Sequence, residues 1–517
     1  MKTLIMLAAE NDALRGGKVG GVGDVVRDLP AELARLGWKV TTIIPSYGFL
    51  HVRNSSRKIA AVEFPFEGKM TAGDLYETVP KTAQEGVTHC VFEHPALRGE
   101  PIYFNDPPDQ AYAQDATKYA LFCSAIGQYL KNHAPETVVH LHDWHTGFYV
   151  LLRELHPQFA HLKKLRTVFT IHNLAYQGNR PMKGPVASVE RWFPELFTST
   201  GWITTWKDPR FAAPNFTPIA AGIRFSDMVN TVSPTYAGEI LRPSDHANGF
   251  YGGEGLEAYL RQATEENRLV GILNGAEYPD RPAATPPAAG ELPGVIGEVV
   301  RGWNAVKADP LHADILSRLD WFAGRAPKIL MCSVTRVTEQ KVRLLFEKGS
   351  DGKTAIDRIL PALDAAGGAY LFVGTGTADY EELLTKTCRT HRNLLYLKGY
   401  SDRLATALYR TGTLFMMPSS FEPCGIGQMI AMRDSQPCIV HATGGLKDTV
   451  SEGVNGFLFD GATIREQVDG LVAAAARAVT MILTDPARWA ALRSEAGKAR
   501  FTWEASARKY DELVYRS

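Results

Sequence analysis

The chain has no excess of charge of either sign: 56 lysines and arginines balance 56 aspartates and glutamates, for a formal net charge of zero. That balance removes any global attraction to nucleic acid or to an anionic membrane surface. Cysteine is sparse, and no CxxC pair or zinc-ligand spacing occurs among Cys90, Cys123, Cys332, Cys388, Cys424 and Cys438. A disulfide framework is therefore not expected, and a reduced cytoplasmic setting is. Long apolar runs are missing too. The stretch Leu4–Ala9 is short and is followed by Glu10 and Asp12, so it reads as a first buried strand and not as a signal peptide. No apolar stretch reads as a membrane span.

What is present is a repeated strand-and-turn grammar. Thr3–Ala8, Val40–Ile44, Val138–Leu141 and Thr167–Ile171 are short apolar runs, each ending in a polar or glycine-rich cluster. An amphipathic segment, Val25–Leu36, follows the first of them and stops at Gly37. The second half repeats the pattern at Lys328–Cys332, Tyr370–Val373, Leu394–Leu397, Leu414–Met417 and Pro437–His441. Alternation of this kind predicts an α/β protein with two doubly wound, Rossmann-like parallel sheets facing each other across a cleft. The proline- and alanine-rich stretch Pro279–Pro293 reads as the connection between them. The division expected is 1–285 for the first domain, 286–325 for a linker, 326–495 for the second domain and 496–517 for a closing helix. In such sheets ligands bind at the carboxyl ends of the strands.

Five clusters lie at those strand ends. In KVGGVGD (Lys18–Asp24), Gly20 and Gly21 would let a ligand approach the backbone at a helix start, with Lys18 adding charge. A tight turn with a surface lysine explains the same residues equally well. In HLHDWHTG, Asp143 and His145 are placed to bond sugar hydroxyls and Trp144 to stack on a sugar. Zinc on His140, His142 and His145 is disfavoured on the argument that alternating strand residues point opposite ways. FTIHNLAYQG brings His172 and Asn173 to the next strand end. In SVTRVTEQK, Arg336 and Lys341 suit a diphosphate leaving group, and FVGTG adds a turn at Gly374. The fifth and most specific is MPSSFEPCGIGQMIAM, with Glu422 ahead of Cys424, Gly425, Ile426 and Gly427. HATGGLKDTV adds a further paired-glycine helix entry.

At these places the chain resembles the bacterial and plant glycogen/starch synthases. The resemblance extends, in order, to TVSPTYAGEI (231–240), YGGEGLEAYL with GILNGAE (251–277) and KGYSDRLATALY (398–409). It implies transfer of glucose, with retention, from ADP-glucose or UDP-glucose to an α-glucan or maltooligosaccharide, with no metal or other cofactor. It also implies roles residue by residue. Lys18, Gly20 and Gly21 match the glycine loop of the cleft. Asp143 and His172 match groups near the transferred glucose. Arg336 and Lys341 match the diphosphate cations, and Glu422 the glutamate under the sugar. Cys424–Gly427 and Gly374 match the donor loops, Asn274 a cleft asparagine and Tyr400 the tyrosine on the base. Val19, Ser420, Val342 and Gly427 depart from the family's usual residues, 346–354 looks inserted, and GAEYPD replaces the usual continuation after Asn274. Two other readings stay open: a related transferase with another donor or a short acceptor, and a non-catalytic glucan- or nucleotide-binding homologue.

Overall fold

A computed structural model describes all residues except Met1, Asn105, Pro185, Thr200, 279–288 and Ser517. The first lobe is built on a nine-stranded sheet. Its strands are β1 (Lys2–Leu7), β2 (Trp38–Pro45), β3 (Ser56–Phe66), β4 (Lys69–Thr78), β5 (Val87–Glu93), β6 (Thr137–His142), β7 (Arg166–Ile171), β10 (Met228–Thr231) and β11 (Leu269–Gly271). Two short strands between β7 and β10, β8 (Arg180–Pro181) and β9 (Asn215–Phe216), pair only with each other. The large sheet runs β11-β10-β7-β6-β1-β2-β5-β4-β3. Seven strands are parallel, and β4 and β3 extend the edge as an antiparallel ribbon.

The second lobe holds β12 (Leu330–Val334), β13 (Ala369–Val373), β14 (Leu394–Leu397), β15 (Leu414–Met417), β16 (Cys438–His441) and β17 (Gly456–Phe459). All are parallel, in the order β14-β13-β12-β15-β16-β17. These strands are buried on both faces, which is why they read as unbroken apolar runs.

Both sheets reverse their winding beside their first strand. In the first lobe the switch lies between β1 and β6, and in the second between β12 and β15. Connections there leave in opposite directions, so a crevice opens at the strands' carboxyl ends. The loops carrying Lys18, Asp143, Arg336 and Glu422 all start at these two switch points.

Three features refine the sequence reading. Much of the expected linker is helical: Leu292–Val306 and Pro310–Arg325 pack into the second lobe through Leu292, Ile296, Val300, Ile315 and Phe322. Their apolar residues recur every three to four positions, and Asp309 caps the second helix by accepting from Leu311 N at 2.9 Å. The remainder of the Pro279–Pro293 stretch lies mostly outside the described residues. Secondly, the helix Ile464–Thr484 is long and apolar enough, by length and composition, to cross a membrane. It reads instead as a core helix, since Val468, Leu471, Ala474 and Ala478 are buried in the second lobe. Thirdly, the final helix, Trp503–Tyr510, returns to the first lobe. Trp503, Tyr510 and Tyr515 pack with Leu4, Val25 and Trp38, and Trp38 Nε1 donates to Asp511 Oδ1 at 3.0 Å.

Candidate active site

The loop after β1 is organised by an acid. Glu10 Oε2 accepts from the amides of Val19 (2.6 Å) and Gly20 (2.5 Å), and Tyr103 donates its hydroxyl to Glu10 Oε1 at 2.6 Å. The two amides are thereby bonded to a carboxylate from the same lobe and are not open to a ligand. A Cβ on Gly21 would meet nothing within 4 Å, so close approach remains possible there. Lys18 Nζ bonds Asp24 Oδ1 at 2.6 Å, beside a cluster in which Asp12 holds Arg27 and Lys81.

The loop after β6 puts Asp143 at φ +57°, an uncommon conformation for a residue with a side chain. The side chain accounts for it. Asp143 Oδ1 accepts from the amides of His172 (2.7 Å) and Asn173 (3.4 Å), bolting the ends of β6 and β7 together. Burial lifts the Asp143 carboxyl to about 7, opposed by those two amides. Burial also lowers His172 to about 3, which keeps it neutral at physiological pH.

His172 Nε2 lies 2.9 Å from His142 Nδ1. The rings of His140 and His142 are 4.1 Å apart, on one face of β6. This corrects the argument used against zinc, because residues two apart on a strand share a face. His140 is engaged on both nitrogens, with Thr170 Oγ1 (2.5 Å) and with the Tyr515 hydroxyl (2.8 Å). Among the described residues, no group of three His, Cys, Asp or Glu side chains is arranged to hold a metal ion.

Across the cleft, Arg336 follows β12. It is exposed, and its guanidinium has no ion pair or hydrogen bond with a described residue. The Gly374 turn braces its loop. A Cβ on Gly374 would lie 1.9 Å from Thr335 O, and Val337 N donates to Thr375 O at 2.9 Å. Lys341, in the helix Glu339–Phe346, forms a tight ion pair with Glu422 Oε2, which also accepts from Ser419 Oγ at 3.3 Å. Gln340 fixes the register of the two loops: its Nε2 donates to Phe421 O (3.0 Å) and its carbonyl accepts from Ser420 N (2.8 Å).

Beyond Glu422, Gly425 has φ +76°, and a Cβ there would sit 3.1 Å from Glu422 Cγ. Ile426 and Gly427 then enter the helix Gly427–Arg433. The Cys424 thiol, pushed up by burial, is reached by the backbone of Asn274 in the first lobe. Asn274 Oδ1 is buried without a partner among the described residues. Tyr400 is 61% exposed with its hydroxyl on Asp402, and it feels the charges of Asp24 and Asp12 opposite. The cations, Glu422 and the Cys424 loop thus gather at one switch point, with Asp143 and His172 at the other. Arg336 makes no side-chain hydrogen bond or ion pair with the other expected residues. Glu10, Tyr103 and Ser419 are not among the residues the sequence singles out for the site, and His142 is considered there only as a zinc ligand. Glu10 had a visible signal, an acid at the strand end just before a glycine loop.

Some departures from the family pattern have a structural place. Val342 is fully buried in the second core, and Ser420 is buried against Gln340 O. The 346–354 stretch closes on itself at Lys348 and Thr354 and is tied to Asp469.

Two parallel-sheet lobes, each opening its switch point to a shared cleft, define a glycosyltransferase of the two-Rossmann-domain type. A family model described as Starch synthase catalytic domain matches residues 3–262, and one described as Glycosyl transferases group 1 matches 355–493. The chain belongs to the glycogen/starch synthase family and is a glucosyltransferase of that type. It is 32% identical over 514 residues to the glycogen synthase of Gloeobacter violaceus, covering 96% of this chain and 95% of that one. Glycogen synthase 1 of Synechocystis sp. is 31% identical over 521 residues, covering 98% and 93%. The catalytic domain of starch synthase IV from Arabidopsis thaliana, bound to ADP and acarbose, is similar at TM-score 0.73 and 26% identity, covering 99% and 98%. Sucrose-phosphate synthase from Thermosynechococcus elongatus, at 17% identity and TM-score 0.54 over 99% and 98%, shares the fold.

Proposed function

We propose that the chain transfers glucose from a nucleoside diphosphate donor, ADP-glucose or UDP-glucose, to the non-reducing end of an α-1,4-glucan with retention at the anomeric carbon. The observation that carries this reading is Arg336, unpaired among the described residues, on the loop that leads from the second switch point to Lys341 and its partner Glu422. Binding of ADP and acarbose by the Arabidopsis relative supports a diphosphate and an oligosaccharide as the ligand classes.

In this reading Arg336 and Lys341 meet the charge that grows on the departing diphosphate, where a fixed donor contributes about 10²–10³ in rate. Glu422 takes the sugar hydroxyls on one side. His172, neutral through burial, takes the other together with Asp143 and Asn274, and hydrogen bonds direct the sugar there. Tyr400 packs on the base, and the Gly374 and Cys424–Gly427 loops line the diphosphate. Lys18, Gly20 and Gly21 close from the first lobe. The acceptor hydroxyl attacks from the leaving-group side, and its proton passes to the departing phosphate oxygen. Closure keeps water from the donor. Charge neutralisation by side chains calls for no metal, so activity is expected to survive a chelator. The six cysteines, all buried and unpaired, fit a cytoplasmic setting.

Gly427 stands where the family has threonine, beside the donor phosphates, so donor choice is the first property to measure. A panel of sugar nucleotides offered with glycogen and short maltooligosaccharides, followed by nucleotide release and product sizing, tests the reading. Chain elongation from ADP-glucose or UDP-glucose is the expected outcome. Donor binding without transfer would remove the catalytic reading. Transfer only from another donor, or only to short acceptors, would replace the substrate assignment.

A further inference from the structure

Two motifs stand out in the sequence but have no part in the chemistry above: TVSPTYAGEI in the first lobe and HATGGLKDTV in the second. They meet. The helix Pro234–Glu239 follows β10, and the helix Gly444–Thr449 follows β16. Thr235 donates its amide to Asp448 Oδ2 (2.9 Å) and its hydroxyl to Asp448 Oδ1 (2.7 Å). In return, Gly444 N donates to Glu239 Oε1 (3.0 Å) and Oε2 (3.2 Å), and Thr443 Oγ1 donates to Glu239 Oε1 (3.2 Å). Each acid sits late in its own helix and caps the start of the other lobe's helix. Two six-residue helices have little stability of their own. A carboxylate on a free amide adds a charge-assisted bond to each, beside the cap that Ser233 Oγ already makes by accepting from Tyr236 N at 3.2 Å.

The pair also grips the backbone of Glu422. Gly444, at φ +43°, packs so closely that a Cβ would lie 1.9 Å from Glu422 O. Gly445 N donates to the carbonyls of Glu422 (3.2 Å) and Pro423 (3.3 Å). From the first lobe, Ser233 Oγ donates to Pro423 O at 2.6 Å. One residue earlier, Phe421 is stacked by Tyr251 of the first lobe, with ring centroids 4.1 Å apart. Glu422 is thus clamped between the lobes through its backbone, and its carboxylate in turn holds Lys341.

We propose that the reciprocal caps of Glu239 and Asp448 form a clasp that closes the lobes and sets Glu422 in register with His172. Ser233, Glu239 and Asp448 are then positioning residues. The registration half of this proposal rests on the reading of Glu422 given above. The clasp itself does not.

The test uses the full chain with Asp448→Ala, Glu239→Ala, the conservative Asp448→Asn and Glu239→Gln, and Thr235→Val. Initial rates are measured against donor at saturating glucan, with small-angle scattering and a thermal melt on the same samples. In the alanine variants kcat is expected to fall about tenfold, the size of a lost helix cap. Donor KM should stay within about twofold, because the second lobe holds the diphosphate, and the radius of gyration should rise. The amide variants keep one acceptor oxygen and recover kcat to within about threefold. Thr235→Val, the mildest change, follows the alanine variants in direction if those fail to fold. Unchanged kcat and scattering in the alanine variants, or a loss fully explained by the unfolded fraction in the melt, overturns the clasp. If scattering shows opening while Glu422→Ala remains fully active, the clasp stands and the role of Glu422 fails.

Discussion

On the first lobe the strand ends carry His142, Asp143 and His172, all buried; on the second they carry Arg336, exposed, and Lys341, paired with Glu422. Burial drives His172 towards neutrality on one side, while an exposed guanidinium stands opposite. In the proposed reading this difference suits the two halves of a sugar nucleotide. A hexose is neutral and needs direction from hydrogen bonds, whereas a leaving diphosphate needs fixed positive charge.

The largest effect expected from this division is in turnover. Lys341→Ala and Glu422→Ala should each lower kcat at least 100-fold, since both act on charge or on its immediate partner. His172→Ala removes a hydrogen bond between uncharged groups, worth about 1 kcal/mol, and should lower kcat about tenfold or less. Steady-state rates on the three variants check the ordering. A His172→Ala loss larger than that of Lys341→Ala would break the comparison.

Next in size is the response to acid. His140 and His172 are lowered to about 3, and His89 to about 4, in each case mainly by burial. Between those values and about 6.5 the unfolded chain binds protons that the folded lobe refuses, so stability is lost as pH falls through that window. At pH 5 each such histidine costs about 2 kcal/mol. Asp143, raised to about 7, works the other way. Its folded state holds a proton that the unfolded chain has given up, so its contribution is present in acid and lost as pH rises through 7. Three histidines outweigh one aspartate. Hydrogen exchange compared at pH 7 and 5, after correction for intrinsic rates, should show β6 and β7 opening before β12 and β15. The reverse order would contradict the asymmetry.

The smallest effects sharpen the picture within the second lobe. Gly425→Ala places a Cβ at φ +76° and 2.6 Å from Gln428 Oε1. It should cost about 1–2 kcal/mol and disturb Glu422. Gly427→Ala meets only ordinary contacts, 3.4 Å from Phe415, and should stabilise the protein by about 0.4–1 kcal/mol. Denaturant titration of the two variants separates a glycine required by its backbone from one that is not.

The sheets were legible because parallel strands buried on both faces leave continuous apolar runs, and because their polar ends mark the switch points. Lys18, Asp143, His172, Arg336 and Glu422 could be placed on strand ends for that reason. The place of Glu10, an acid ahead of the glycine loop, is visible in the sequence, but its bonds to the Val19 and Gly20 amides depend on how the loop folds back, which spacing does not encode. The helices Leu292–Val306 and Pro310–Arg325 were hidden by the proline- and alanine-rich composition just before them, although their apolar period was present. The Thr235–Asp448 and Glu239–Gly444 bonds join residues more than 200 apart in the chain, and no local pattern announces them.

The chain passes between the lobes twice, and the two passages lie against one another. Ala276 N donates to Phe501 O at 2.7 Å, Phe501 N donates to the Tyr278 hydroxyl at 3.0 Å, and Arg500 lies over the Tyr278 ring. Both crossings are thus stitched into a single seam, and a substitution at Tyr278 or Phe501 loosens that seam without touching any residue proposed to meet the substrate.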